Sequence, residues 1–118
     1  NYAGDFPFWL APEQIRLLPV TDEVLADAKQ LSDQLRAAGI RATVDRSGDR
    51  LGKLIRTGEQ MKIPLLAVIG AKEAEQGSVS LRSRRDGDLG SVNRKALIEA
   101  ASQANQERLA SLPLSPTP

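Results

Sequence analysis

The sequence predicts an α/β domain of three layers, α/β/α, with helices on both faces of a mixed five-stranded sheet. Three observations lead there. Stretches of strand length at 15–20, 41–45 and 65–69, the first and third apolar, are separated by two stretches of helical periodicity, the order of a parallel βαβαβ unit. Leu65 to Ile69 is apolar without interruption, as suits a strand covered on both faces. From Ser78 the pattern changes to alternation followed by a turn, which adds antiparallel strands to the parallel unit.

The chain opens on its aromatics. Tyr2, Phe6, Phe8 and Trp9 all lie within the first nine of 118 positions, and no other aromatic follows. Rings bring large apolar area, so this end is docked onto something, either the domain's own core or a partner. Pro7 and Pro12 hold the segment extended, and residues 1–14 read as a strap. The first residue is Asn1 instead of Met, the expected mark of a cut from a longer polypeptide.

Ile15 to Val20 is the first strand, with Pro19 near its end, where a missing donor does least harm. Thr21 is the expected N-cap of the first helix, and Asp22 and Glu23 suit its dipole. Val24, Ala28, Leu31, Leu35 and Ala38 fall on one face of that helix. Gly39 stops it, and Ile40 folds back on the last turn. Arg41 to Asp45 forms a second strand, and Asp49 caps a second helix running to about Met61. Leu51, Leu54, Ile55, Gly58 and Met61 share its inner face, while Lys53, Arg56 and Gln60 point outward.

Pro64 ends the connection to the third strand, Leu65 to Ile69, and residues 70–77 read as a loop. In Ser78 to Arg84, Val79 and Leu81 take one face and Ser80, Arg82 and Arg84 the other. Arg85 to Asp88 is the turn before a last strand, and Asn93 or Ser91 caps a third helix striped with Leu97, Ile98, Ala101 and Ala104. Residues 15–111 make one domain. The proline-rich end, 112–118, is expected to be a disordered tail.

Composition limits the chemistry. With no Cys there are no disulfides, thiol nucleophiles or thiolate metal sites, and with no secretory or transmembrane stretch the cytoplasm is the expected location. With no His there is no Ser-His-Asp or Cys-His arrangement, and any catalysis would fall to carboxylates and Lys. Asp45 and Asp49 alone are too few for a metal site. Neither a G-x-G-x-x-G after a strand nor a Gly-x4-Gly-Lys-Ser/Thr loop is present, so no nucleotide-hydrolysing site is visible. At a net charge of +1, a polyanion must be met by a local patch.

In an open α/β sheet that patch belongs beyond the carboxyl ends of the parallel strands, at loops 20–23, 45–50 and 70–77. Arg46, Arg50, Lys53, Arg56 and Lys62 gather around the second, Lys72, Glu73 and Glu75 lie in the third, and Arg82 and Arg84 project from the strand after it. Each charge is by itself ordinary solvated surface. Together they make a basic rim set with carboxylates, suited to a phosphate-bearing ligand whose bases need acceptors.

The run Gly4-Asp5-Phe6-Pro7-Phe8-Trp9-Leu10-Ala11-Pro12-Glu13-Gln14 resembles the segment by which bacterial threonyl-tRNA synthetases pass from their catalytic domain into the C-terminal anticodon-binding domain. The resemblance continues through Ala38-Gly39-Ile40-Arg41, Leu51-Gly52, Ile55-Arg56, Ile63-Pro64, Gly70-Ala71-Lys72-Glu73, Arg82-Ser83-Arg84-Arg85 and Asp88-Leu89-Gly90-Ser91. It covers residues 1 to about 109.

The resemblance implies a mixed five-stranded sheet with three helices that grips the anticodon of threonine tRNA, whose second and third bases are G and U. By position, Arg82 and Glu73 would read the central guanine, and Arg56 and Lys62 match basic positions near the uridine and the anticodon backbone. Two departures touch the uridine side. Gly48 stands where many members carry Asn, and Lys53 stands one place before the usual lysine. The implied partners are threonine tRNA and a catalytic domain of the same parent chain, with no membrane. ATP, Mg and Zn would belong to that catalytic domain and no cofactor to this segment. The segment alone is expected to be a non-catalytic monomer and the parent a homodimer.

As the joint to such a body, the strap should leave Tyr2 poorly covered while Trp9 and Leu10 pack on the domain. Two rival readings are a same-fold binding module outside aminoacylation, such as an accessory subunit or regulatory paralogue, and a small carboxylate-based enzyme or nucleotide-binding α/β protein.

Overall fold

A computed structural model describes residues 6–114. The five strands are β1 (Ile15–Pro19), β2 (Ala42–Val44), β3 (Leu65–Ile69), β4 (Ser78–Ser83) and β5 (Gly87–Asn93), joined in one sheet of order β2-β1-β3-β4-β5. β1 runs parallel to β2 and β3, while β4 is antiparallel to β3 and to β5. The helices are α1 (Leu25–Ala37), α2 (Leu51–Gln60), α3 (Ala71–Gln76) and α4 (Arg94–Glu107). The mixed α/β architecture is as expected, with one helix more. Residues 71–76 form a short helix where the sequence reads as a loop.

Two separate apolar clusters define the three layers. On one face of the sheet Ile15, Leu17, Leu65, Ala67, Ile69, Val79 and Leu81 pack with Ala28, Leu31 and Leu35 of α1 and Leu97, Ala101 and Ala104 of α4. On the other face Leu18, Leu66 and Val68 pack with Leu54 of α2 and with Ile63. The period of two explains this split, since alternate residues of β1 and β3 feed opposite layers. A Cβ on Gly58 would sit 2.5 Å from Leu66 Cδ2, so α2 lies closer to β3 than a larger residue allows.

Helix ends follow the expected chemistry in places. Gly39 at φ +84 closes α1, with Gly39 N–H on Arg36 O at 3.0 Å and Ile40 N–H on Leu35 O at 3.0 Å, the paired bonds of a Schellman end. Asn93 Oδ1 accepts from Lys95 N and Ala96 N and caps α4. Other expectations are corrected. A 3-10 turn, Asp22–Val24, precedes α1, and Thr21 stands before that turn with no side-chain cap bond. Arg50, not Asp49, occupies the N-cap of α2.

Met61 is 53% exposed instead of inward-facing, because α2 ends at Gln60 and the chain turns away through Lys62 at φ 60. Lys62 N–H reaches Glu59 O and Ile63 N–H reaches Gly58 O, so a lysine fills the left-handed place that glycine took after α1.

The strap docks through Phe8, not Trp9. Phe8 is 1% exposed in the main core, and its N–H bonds to Ala110 O at 2.9 Å. Trp9 is half-buried with the Arg108 guanidinium 5.3 Å from its ring centroid, while Leu10 is 39% exposed and does not pack as expected. Gln14 is fully buried as an amide clasp. Its Nε2 donates to Phe8 O at 2.9 Å and to Asn105 Oδ1 at 2.6 Å, and its Oε1 accepts from Arg41 N at 2.9 Å. Arg41 adds bonds to the carbonyls of Ala11 and Trp9, each at 2.9 Å.

At the other terminus, Leu112 and Leu114 pack against the main core, which corrects the tail expected from residue 112. Tyr2 and residues 115–118 lie outside the described residues.

Candidate nucleic-acid interface

The three expected loops share one edge of the sheet. Val20 N–H bonds to Ile69 O and Asp45 N–H to Leu17 O, each at 2.9 Å, so β1 and β3 end level and β2 ends beside them, opposite Leu17. β4 begins and β5 ends at the same edge, where Ser78 pairs with Asn93.

In the loop after β2, Ser47 N–H bonds to Asp45 Oδ1 and Asp49 N–H to Ser47 Oγ, and Gly48 turns the chain at φ +75 with open space around it. Lys53 lies in the first turn of α2 beside Asp49, Nζ to Oδ2 3.7 Å. Glu73 lies in the first turn of α3. Its Oε1 accepts from Gly70 N–H at 2.7 Å, half of a capping box, which fixes the carboxylate against its own helix.

Arg82 sits further down the sheet, opposite Leu66 of β3 and Asp88 of β5, hence on the face that α2 occupies. α2 covers Leu18, Leu66 and Val68 but not β5, whose Asp88, Ser91 and Asn93 are exposed. Arg82 is half-buried, and its guanidinium has no hydrogen bond or ion pair with any described residue. The register slips between Leu81 and Arg82, where Leu89 is extra in β5 and Gly90 N–H bonds to Asp88 Oδ1 at 2.8 Å. Such a bulge re-aims the side chains around it. Arg56 is exposed on α2, likewise without a partner among the described residues.

The six expected residues do not form one cluster. Gly48, Lys53 and Glu73 share the carboxyl edge, while Arg82 and Arg56 lie towards the middle of the α2 side. Four residues of strand, about 13 Å, separate Arg82 from Ser78 at that edge. Arg82 and Glu73 make no bond to each other among the described residues; the Arg82 guanidinium has no partner there, while the Glu73 carboxylate is held through Oε1 by Gly70 N–H.

Lys62 is at the opposite edge. It lines a groove of about 1010 Å³ with Phe6, Trp9, Arg84, Arg85 and Arg108. Arg84 is tied there through Nη1 to Glu59 O at 2.5 Å and through its N–H to Pro64 O at 2.9 Å.

Sequence reasoning missed two charged clusters. Glu13, Thr43, Arg16 and Asp45 make a polar row on β1 and β2: Arg16 Nε donates to Glu13 Oε2 at 2.7 Å, Arg16 Nη1 is 3.7 Å from Asp45 Oδ2, and Thr43 Oγ1 donates to Glu13. The bond from Glu13 is the largest influence on Arg16, and with the nearby carboxylate charges it outweighs burial and raises the guanidinium pKa further above its usual value. Arg94 and Asp27 form the second cluster, a bidentate pair 67 positions apart in sequence that no local spacing could signal.

Among the described residues, no group of three or more His, Cys, Asp or Glu could hold a metal ion. No helix of the described residues is long and apolar enough to cross a membrane.

Comparison with known proteins identifies the family and the fold. Residues 14–104 match the family model described as anticodon binding domain. The chain is 76% identical over 112 residues to a threonine–tRNA ligase of Synechococcus sp. (strain CC9311), covering 95% of this chain and 18% of that protein. It is 56% identical over 104 residues to the threonine–tRNA ligase of Thermosynechococcus vestitus, covering 88% and 17%. The chain thus spans about a fifth of the length of the relatives it matches.

Among solved structures, the RNA binding domain of threonyl-tRNA synthetase from Cryptosporidium parvum superposes with a TM-score of 0.81 at 28% identity, over 86% of this chain and 26% of that one. Prolyl-tRNA synthetase from the same organism shares the fold at a TM-score of 0.73 and 23% identity, over 88% and 23%. The chain belongs to the anticodon-binding domain family, and among the proteins compared it stands beside the threonine–tRNA ligases.

Proposed function

We propose that this domain reads the anticodon of threonine tRNA for a threonine–tRNA ligase, whose remaining length joins threonine to its tRNA using ATP. The observation that carries the reading is the unpartnered Arg82 guanidinium on the uncovered β4–β5 face. Arg is suited to donate to guanine O6 and N7, and the Glu73 carboxylate to accept from N1 and N2 of the same base, a pairing no other base offers. An unstacked anticodon base exposes both edges at once. The exposed Lys53 and Arg56 would meet phosphates, adding affinity without sequence preference. ATP, magnesium and zinc would be bound by other parts of the parent. The parent as a homodimer in the cytoplasm belongs to the same reading.

The test is a titration of the chain with anticodon stem-loops carrying G or A at the middle position, over a range of salt. Tighter binding of the G form at every salt concentration is expected. Equal binding of both would overturn the reading and favour a module that has left aminoacylation.

A further inference from the structure

We infer that Arg94, anchored by Asp27, is the positioning residue that holds Glu73 where a base can meet it; this rests on the reading proposed above. α3 has six residues and none is fully buried; Ala74 alone among them packs, partly buried, against the main core, so length and packing hold its place only weakly. The Gly70 N–H to Glu73 bond orients the carboxylate relative to α3 but does not tie α3 to the elements around it.

Arg94 supplies the anchor from across the domain. Nη1 and Nη2 donate to Asp27 Oδ1 and Oδ2 of α1 at 2.8 and 2.6 Å. The same guanidinium donates through Nε to Ser78 O at 3.1 Å and reaches Glu73 O from Nη2 at 3.5 Å. Its backbone N–H bonds to Gly77 O at 3.2 Å. One residue thus joins α1 to the carbonyl of Glu73 and to both residues that follow α3.

The planar fork matters. An ammonium could keep the attraction to Asp27 but could not serve the carboxylate and two carbonyls in fixed directions. Because a carboxylate must lie about 3 Å from the guanine hydrogens it accepts, a shift of α3 by an ångström removes the contact.

The experiment uses the complete 118-residue chain and measures the G-over-A preference for the middle anticodon base. The proteins are wild type, Arg94→Lys, Asp27→Asn, Glu73→Gln and the double variant Arg94→Lys with Glu73→Gln. Arg94→Lys and Asp27→Asn are each expected to reduce the preference about three- to tenfold, with the salt dependence unchanged. Arg94→Lys is expected to cost no further preference in the Glu73→Gln background.

Asp27→Asn attacks the same anchor from α1, so loss of folding in one variant leaves the other to decide. Full preference in Arg94→Lys and Asp27→Asn, with preference lost in Glu73→Gln, overturns the positioning role alone. So does an equal cost of Arg94→Lys in both backgrounds. Full preference in Glu73→Gln overturns the base reading itself, and the positioning role with it.

Discussion

The two edges of the sheet are built on opposite principles. At the strap edge, a fully buried ring and a fully buried amide hold the chain: Phe8 fills the core, and Gln14 bonds the strap to β2 and α4. At the carboxyl edge the elements are short and held by polar bonds, as in the six-residue α3 and the loop around Gly48. Apolar burial is non-directional and sums to stability, whereas polar bonds fix direction for little net energy. The first edge suits a joint that must not open. The second suits side chains that must be aimed while remaining exposed.

Substitutions can break this division, beginning with the strap. Phe8→Ala should cost about 3–5 kcal/mol of unfolding free energy, read from denaturant curves, with the G-over-A preference of the folded protein unchanged. Gln14→Leu should cost about 2–3 kcal/mol, because Phe8 O, Arg41 N–H and the Asn105 amide each lose a buried partner. The carboxyl edge and open face should answer in the other quantity. Arg82→Ala should cost about 1–3 kcal/mol of discrimination against A at the middle base, with a melting temperature close to wild type, since no described residue is left unpaired. A large melting shift with discrimination intact would blur the two roles into one.

Two smaller effects sharpen the comparison. Lys62 holds φ 60 at the end of α2, a place where glycine carries no Cβ penalty. Lys62→Gly should raise stability by up to about 1 kcal/mol and leave the salt slope of RNA binding unchanged, since Lys62 lies at the edge opposite the proposed contacts. Gly48→Asn should change stability by only a few tenths of a kcal/mol, since Asn tolerates the left-handed region and nothing lies within 4 Å of a Cβ there. In stem-loop titrations it should strengthen the preference for U at the third base.

The same contrast explains what was legible in the sequence. β1 and β3 could be read because apolar runs of strand length mark them, β4 because its residues alternate, and the ends of α1 and α4 because Gly39 and Asn93 have local chemical reasons to be there. α3 could not, since six residues with no buried face give no periodicity. The inward place expected of Met61 failed because α2 stops one residue earlier, at a left-handed lysine that carries no sequence signature. Gln14 and Arg94 escaped for another reason: their partners, Asn105 and Asp27, lie 91 and 67 positions away, and only tertiary structure brings them together. Of the site, the residue types and their strands were readable. The bulge beside Arg82, and the separation of Lys62 from the others, were not.

Trp9 is the single tryptophan of the chain, and it lies against Arg108 on the seam between the strap and the end of α4. That makes the seam optically addressable. A guanidinium near an indole alters its emission, so a change in the contact between Trp9 and Arg108 would change the fluorescence. The emission of one unlabelled chromophore then follows this seam, and a ligand docking on the groove lined by Phe6 and Trp9 would report its own arrival.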